Sequence, residues 1–415
     1  MAQSGTILFA VDSSNHCKIG LPPADYNDSF YDRCIDIGKL DNVSHVFFSP
    51  EAEMYAVRGS ELYVGPLPSS HSEDWFQKEA KRVGKTDWNK FRIILFHPNG
   101  TLYASTKDGA FFKGPPPQNE NVSWLYGQAT RVGSSAWDYF YALFFDSDGL
   151  LYAVDNHGKL LRRSPPDHPD QWHDTSEVVG GYGWTSYCHF ISFHPDRNLW
   201  CVGSNGKIFR GKSPSTIKGS WIDEAQCLGY GYQQYKIMAF TKDKTILSML
   251  SLDFQVKEGR ITSMERELLE EQTYENVSTV PMDSTFSFKK TIKTESSFTH
   301  EHGFTVTAGT ELAIKASIPF VADGGTKITL NTSTTHTWKL NEVNSTETEF
   351  SKTSNFVVPS GKSIKQTAVI QRAQIDVPYC AKVRTRFGFE TTILGIWNGA
   401  SVFNLVVKQE DVTGK

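Results

Sequence analysis

Phe96-His97-Pro98-Asn99-Gly100-Thr101-Leu102-Tyr103-Ala104 is the stretch of sequence that decides the fold. An apolar strand end runs into a Pro-Asn-Gly turn and then into an alternating strand, which is the chemistry of a tight β-hairpin. Related stretches recur at spacings of 48, 49, 48 and 47 residues, and a phenylalanine marks the same position in each: Phe48, Phe96, Phe145, Phe193 and Phe240. A period in the forties, with several short strands per copy, predicts a β-propeller.

The two ends of the repeat complete one another. Thr6–Val11 matches the second strand of a copy but has no first strand before it. Lys236–Phe240 matches a first strand, and no copy follows it. One blade built from both segments would close the ring and leave no open sheet edge. The sequence therefore predicts a five-bladed propeller over residues 1–250.

Tryptophans recur at two places in the repeat. Four copies carry one in a polar loop, and three copies end on a Gly-x-x-x-Trp segment. An indole ring offers a flat apolar surface to a sugar, and polar neighbours can satisfy the sugar hydroxyls. Both groups could instead be packing residues, because propellers of all kinds stack aromatic side chains between blades. The candidate sugar-binding residues are Asp74, Trp75, Asn121, Ser123, Trp124, Asp170, Trp172, Ser220 and Trp221, lined by Trp88, Trp137 and Trp184.

The combined motifs of residues 6–241 resemble those of the tachylectin family of five-bladed lectins. The resemblance implies that the chain binds N-acetylated hexosamines (N-acetylglucosamine or N-acetylgalactosamine) between neighbouring blades. Several weak sites on one ring would act together on a surface dense in glycans. The first copy departs from the pattern, because it has Phe30 where the others have the loop tryptophan. Whether its blade keeps a sugar site is open at this point.

Long alternating segments rich in Thr and Ser replace the repeat beyond residue 250, and they predict a second β domain over 251–415. Within it, the segment from Phe304 to Lys339 is predicted to form a hairpin with legs of about 14 residues, more than the ~9–11 that a membrane-spanning strand needs. One apolar face is typical of a transmembrane barrel strand, and also of a soluble hairpin with one buried face. The residues of this stem and its tip are Thr310, Leu312, Ile314, Ala316, Ile318, Pro319, Phe320, Val321, Ile328 and Leu330.

Further Thr-rich strands accompany the hairpin. Thr353–Pro359 and Thr367–Tyr379, together with Asn276-Val277-Ser278, resemble the aerolysin-type pore-forming module over roughly 255–410. The resemblance implies that the hairpin, Thr310–Thr334, refolds into a transmembrane β-barrel of a homo-oligomer while another domain selects the membrane. The apolar tip Ile318–Val321 would enter first.

Composition narrows the class of function. The net charge of −4 gives no field that would attract nucleic acid. Six cysteines without CxxC spacing argue against a zinc site and a disulfide scaffold. No recurring carboxylate pair or nucleophile–base set is present, so we predict no enzyme activity, no catalytic residue, no metal and no cofactor. The first residues show no secretory signal, so we expect a cytoplasmic store or unconventional release, and action at a target membrane.

The sequence thus predicts an all-β chain, a five-bladed propeller lectin followed by an elongated, long-stranded aerolysin-like domain. Its partners would be cell-surface glycans, a target membrane and further copies of itself, and its role that of a toxin or a host-defence effector. Two alternatives stay open. One is a multivalent lectin that agglutinates without forming pores, and the other is an intracellular propeller scaffold without a sugar ligand.

Overall fold

The computed structural model describes residues 5–414 apart from residues 70, 72, 170–171, 215–219, 301–303, 307–311 and 323–324. The chain divides into two compact units, Met1–Lys244 and Thr245–Lys415. The boundary predicted between the domains, after residue 250, lies six residues further along the chain. Thr310 and Asp170, two of the predicted site residues, lie outside the described residues.

Among the described residues, the first unit consists of five four-stranded antiparallel sheets. These are the blades of the predicted propeller, so the predicted all-β fold class is confirmed. Each sheet arises from short alternating runs separated by Gly, Asn and Asp turns. The strands in chain order are β1 (Thr6–Asp12), β2 (His16–Gly20), β3 (Ile35–Lys39), β4 (Val43–Phe48), β5 (Met54–Arg58), β6 (Glu61–Gly65), β7 (Lys81–Gly84), β8 (Phe91–Phe96), β9 (Leu102–Thr106), β10 (Phe111–Gly114), β11 (Thr130–Gly133), β12 (Ala142–Phe145), β13 (Leu151–Val154), β14 (Leu160–Arg163), β15 (Glu177–Gly180), β16 (Phe190–Phe193), β17 (Leu199–Val202), β18 (Ile208–Gly211), β19 (Gln226–Gly229) and β20 (Tyr235–Lys242).

The first blade joins the two ends of the repeat. Its strand order is β20-β1-β2-β3, and β20 pairs antiparallel with β1 so that Leu8 lies opposite Phe240. The other blades are β4–β7, β8–β11, β12–β15 and β16–β19, numbered two to five below. The blade predicted from Thr6–Val11 and Lys236–Phe240 is therefore present.

Short helical turns occupy two of the connections. One begins at the aromatic residue between the third and fourth strands of a blade, and the other lies between consecutive blades. The turns between third and fourth strands are Phe30–Arg33, Trp75–Lys78, Trp124–Gln128, Trp172–Thr175 and Trp221–Glu224. The turns between consecutive blades are Trp88–Lys90, Trp137–Tyr139, Trp184–Tyr187 and Tyr232–Gln234. Polar residues just before three of the turns between third and fourth strands accept hydrogen bonds from backbone amides of the first turn: Ser29 from Asp32 N, Asp74 from Phe76 N and Ser123 from Tyr126 N.

The second unit contains much longer strands. A seven-stranded sheet has the path β24-β21-β28-β29-β23-β27, and β22 also pairs with β28. A short turn at Val256–Glu258 separates its first two strands. The strands are β21 (Thr245–Phe254), β22 (Arg260–Glu275), β23 (Met282–His300), β24 (Thr305–Val306), β25 (Ala313–Val321), β26 (Ile328–Lys339), β27 (Asn344–Val358), β28 (Ser363–Thr385) and β29 (Glu390–Asp411).

The predicted hairpin is present as β25–β26, but its limits differ from the prediction. Its first leg begins at Ala313 rather than near Phe304, because β24 instead pairs in parallel with β21. The segment Ile318–Val321, predicted as the apolar tip, belongs to β25, and the described residues that follow it before β26 are 322 and 325–327. A register shift after Ser317 moves burial from even to odd positions, so Pro319 and Val321 are buried.

Candidate functional site

The tryptophans predicted to bind sugar are buried. The four loop indoles are 1–5% exposed, and the three Gly-x-x-x-Trp indoles 1–6%. A ring without a free face cannot stack on a sugar, so the structure contradicts the role of exposed stacking surfaces for these side chains. The loop tryptophans are Trp75, Trp124, Trp172 and Trp221, and the others are Trp88, Trp137 and Trp184.

The loop indoles hold the ends of the third strands in place. Each Nε1–H donates to a backbone carbonyl that follows the third strand of its own blade. These bonds, of 2.7–2.9 Å, satisfy the one polar atom of each buried ring. The accepting carbonyls belong to Pro66, Pro115, Ser164 and Lys212.

The structure does bring the two predicted groups of tryptophans together. At three junctions between consecutive blades, one indole of each group meets the other at centroid distances of 5.5–5.7 Å. At the fourth, Tyr232 and Phe30 take their places at 6.3 Å. The repeated aromatic residues therefore pack consecutive blades against one another. The indole pairs are Trp88–Trp124, Trp137–Trp172 and Trp184–Trp221.

The predicted polar residues either form hydrogen bonds or ion pairs within the protein or lie at turns. Asp74 caps its helical turn by accepting from Phe76 N, and it pairs with Arg58 at 3.2 Å. Asn121 accepts from Lys85 Nζ at 3.1 Å, and Ser123 donates to Asp87 Oδ2 at 3.2 Å.

Ser220 precedes the helical turn of the fifth blade but makes no side-chain cap. Like Asn121, it is exposed at the surface. These groups stay available for water-mediated or direct contact with a ligand, and the sugar site that they were predicted to form stays a prediction.

Tyrosines, rather than tryptophans, present exposed rings next to these junctions. Tyr126, Tyr182 and Tyr230 are 72%, 80% and 72% exposed. Sequence reasoning missed them, although two of them stand between glycines, as Gly181-Tyr182-Gly183 and Gly229-Tyr230-Gly231. That setting indicates a loop in which a large side chain has no packing partner, and Gly183 and Gly231 indeed have φ of 102° and 90°.

One cleft of about 440 Å³ lies beside the helical turn of the third blade. Its lining includes Lys90, Lys107 and Arg131, with the exposed Tyr126 at its edge. Lys90 Nζ donates to Tyr126 Oη at 3.0 Å and pairs with Asp87 at 2.8 Å. The hydrogen bond from Lys90 lowers the pKa of Asp87, which keeps this carboxylate ionised. We refer to it as the third-blade cleft.

A second cleft, of about 480 Å³, lies where the fifth blade meets the first. We call it the seam cleft, since it adjoins the blade that both ends of the repeat build. Its lining is aromatic and acidic, and it occupies the place where Phe30 replaces the loop tryptophan. The first blade, which departs most from the repeat, therefore borders a well-formed cavity. The tyrosine and aspartate side chains of this lining include Tyr26, Asp28, Tyr31, Asp32, Tyr230 and Tyr235.

In the second unit, the hairpin packs against the long strands. Trp338 is fully buried, and its ring lies 5.6–5.8 Å from the rings of Phe254, Phe298 and Trp397. His336 contacts it from the hairpin itself at 4.5 Å, and burial lowers the pKa of this histidine. Other buried hairpin residues are Leu312, Val321 and Ile328, with Ile314, Ala316, Ile318 and Leu330 half-buried against the same core.

The hairpin is nevertheless a sheet of its own. β25 and β26 pair only with each other among the described strands. Val321 N donates to Ser401 Oγ of β29 at 3.0 Å, which fixes the hairpin near its turn. Side-chain packing and a few polar contacts, rather than strand pairing, therefore hold the hairpin against the seven-stranded sheet.

Other kinds of site find no geometric support in the part of the chain that the structure describes. No group of three or more His, Cys, Asp or Glu there could hold a metal ion. No helix in that part is long and apolar enough to cross a membrane. The six cysteines are free thiols.

Two family models match the chain. Residues 10–237 match the tachylectin family, and residues 233–394 match the family of the Clostridium epsilon toxin ETX and the Bacillus mosquitocidal toxin MTX2. Both are families of non-enzymatic proteins. No curated protein sequence matches the chain.

Solved structures were compared with the whole chain. One match is a symmetrical protein whose structure was solved in a study of its de novo evolutionary emergence. It is 28% identical, with a TM-score of 0.52, and the match covers 56% of this chain and 98% of that one. Lamprey immune protein is 15% identical over 75% of this chain and 87% of its own, with a TM-score of 0.34. The aerolysin-like protein of Bombina maxima is 11% identical over 40% and 98%, with a TM-score of 0.28.

The first family model spans more than half of the chain. The second model covers most of the long-stranded unit. The chain belongs to the tachylectin family, and its lectin-like propeller is followed by a domain that is similar to the toxins of the ETX/MTX2 family.

Proposed function

We propose that the propeller binds N-acetylhexosamine glycans on a target cell and that the second unit then oligomerises and inserts its hairpin as part of a β-barrel. The propeller selects the surface, and the hairpin perforates it. The chain would act at the target membrane as a toxin or a defence effector.

The observation that carries this proposal is the separate hairpin. A transmembrane strand needs ~9–11 residues, and β25 and β26 have 9 and 12. One hairpin cannot span a bilayer alone, because its edges would lose their hydrogen bonds in lipid. Several copies that each donate β25–β26 would close a barrel without free edges.

The sugar half of the proposal rests on the clefts next to the blade junctions. Tyr126 offers an exposed ring there, and Lys90 and Asp108 of the third-blade cleft offer a donor and an acceptor for hydroxyl and acetamido groups. The stacking role therefore moves from the predicted tryptophans to tyrosines.

The pore is tested by tying the hairpin to the body of its unit. Val321→Cys with Ser401→Cys should form a disulfide, because the Val321 amide already contacts the Ser401 side chain. We expect the oxidised variant to bind glycan-bearing liposomes without releasing their dye, and reductant to restore leakage. A bond between the two legs would not serve, since they stay paired in a barrel.

The control for this experiment is Val321→Cys alone, which should leak equally with and without reductant. Unchanged leakage from the fully oxidised double variant would eliminate the hairpin as the inserting element. Liposomes that bind the unmodified chain but release no dye would instead make the protein a multivalent lectin, the alternative that the sequence leaves open.

The sugar site is tested by comparing neighbouring residues with different exposure. Tyr126→Ala should weaken binding of monovalent N-acetylglucosamine about fivefold at its own site, a loss of about 1 kcal/mol, with the melting temperature unchanged. Trp124→Ala should instead destabilise the propeller, because that ring is 2% exposed. Full affinity in Tyr126→Ala would contradict sugar binding at this cleft.

A further inference from the structure

The seam cleft differs in charge from the third-blade cleft. None of its described lining residues is Lys, Arg or His, whereas Lys90, Lys107 and Arg131 line the other. Two carboxylates, Asp28 and Asp32, line the seam cleft. The two cavities, similar in volume, therefore favour ligands of different charge.

Only one of the two carboxylates has a counterion within the described chain. Asp28 pairs with Arg33 at 2.5 Å, and it also accepts from Ala24 N at 2.8 Å. The carboxylate of Asp32 has no cationic side chain within ion-pair distance among the described residues, and Asp32 is exposed. The cleft thus carries one uncompensated negative charge.

Exposed aromatic rings form the walls around this charge. Tyr26 and Tyr230 face one another across the junction with ring centroids 6.1 Å apart and planes inclined by 40°. Tyr31, 66% exposed, adds a third ring to the lining. A cation in the cleft can approach within about 6 Å of more than one ring, the range in which the ring quadrupole attracts it.

The floor of the cleft adds a polar atom without a partner. Tyr235 is 3% exposed, lines the cleft, and has a hydroxyl that makes no hydrogen bond to any described residue. Phe30 packs edge-on against its ring at 5.7 Å. Buried hydroxyls are normally paired, so this atom marks a place where a ligand donor would complete the structure.

We propose that the seam cleft binds a hexosamine whose amine is free and protonated, in preference to its N-acetylated form. The ammonium lies against Asp32 and the tyrosine faces and can donate toward the floor, and the pyranose ring covers Tyr230. Acetylation removes the charge and the attraction. The inference rests on the lectin function proposed above, and it gives the junction of the fifth and first blades a specificity that the others lack.

The probe is a fully de-N-acetylated glucosamine tetrasaccharide, compared with the N-acetylated tetrasaccharide on the full chain. We expect Asp32→Asn and Tyr230→Ala each to weaken binding of the first about fivefold and to leave binding of the second nearly unchanged. Raising salt from about 0.05 M to about 0.5 M should weaken binding of the free amine alone, because it screens the exposed pair.

Asp25→Asn and Tyr139→Ala are the matched controls, since both residues are exposed and neither lines the cleft. They should leave both affinities unchanged. Equal affinity for the two sugars, or an Asp32→Asn variant that still binds the free amine fully, overturns the inference while N-acetylglucosamine binding leaves the lectin function standing. Competition by a simple diamine as strong as by glucosamine would overturn the assignment to a sugar.

Discussion

The repeated tryptophans illustrate how far single residues could be interpreted from the sequence. Their spacing predicts the ring correctly, but a polar neighbourhood such as Asp74-Trp75 does not reveal whether the indole points outward. The answer depends on the carbonyl that it finds, Pro66 O, nine residues earlier. Exposure of Tyr230 is equally hidden, because it follows from a glycine-flanked loop at a junction between blades.

Glycine in the Gly-x-x-x-Trp segment is required by contact with the indole. A Cβ on Gly133 would overlap Nε1 of Trp137 and would lie 2.8 Å from Cβ of Phe111. We expect Gly133→Ala to lower the free energy of unfolding by about 1–3 kcal/mol, as overpacked cores do. Urea denaturation measures this change in the free energy of unfolding. Gly181→Ala is the control, since nothing lies within 4 Å of its Cβ, and equal stability of the two variants would refute the argument.

Thiol reactivity gives a second prediction at this scale. Burial raises the pKa of Cys188 to about 12 and also raises that of Cys17 and Cys201. The thiolate is the reacting form, so these three should resist iodoacetamide at pH 8 in the native protein. We expect them to react only after denaturation, as peptide mass mapping would report. Rapid native labelling of Cys201 would contradict the packed blade around it.

At the scale of elements, the hairpin was predicted but its boundaries were not. Alternation of apolar residues indicates two strands with one buried face, and those strands exist. The shift after Ser317, however, reverses which face is buried, and nothing local in the sequence marks it. The end of β25 is likewise held by Ser401, about 80 residues away, whose Oγ accepts a hydrogen bond from Val321 N.

Trp338 should be the main restraint on the hairpin. Its replacement by Ala removes a fully buried ring from contact with Phe254, Phe298 and Trp397. We expect a loss of about 3–5 kcal/mol in the stability of the second unit, with sugar binding by the propeller retained. Thermal melts followed by resin binding measure both, and Thr337→Ala, at an exposed neighbour, is the control. A melt indistinguishable from that control would show that the indole contributes no restraint.

At the scale of the whole molecule, the five-bladed count and the shared first blade were predictable because the repeat is nearly periodic. The long-stranded unit was predictable in class but not in strand order, since pairs such as β21 with β28 join residues more than 100 positions apart. Its lack of a repeat leaves the pairing to side-chain packing. The seam cleft was not predictable, because Tyr26 and Tyr230 are far apart in the sequence and meet only where the ring closes.

Ring closure can be tested by two truncations. A chain that ends at Lys244 keeps β20, and we expect it to melt cooperatively and to bind N-acetylglucosamine resin. A chain that ends at Gln234 lacks β20, which leaves the edge of β1 unpaired, and it should aggregate or unfold. Circular dichroism and light scattering distinguish them. Equal folding of both chains would mean that the shared blade is dispensable.

The shared blade also has a mechanical consequence. Only Asp243 and Lys244 separate β20 from β21, so any pull that the second unit exerts on the chain reaches the closing strand directly. Seven residue pairs of β20 and β1 would bear that load. Their bonds run across the strands, so tension along β20 loads them in shear, and they resist together. If the second unit pulls on this connection, we expect separation of β20 from β1 to part Tyr230 from Tyr26 and to weaken binding of any ligand in the seam cleft.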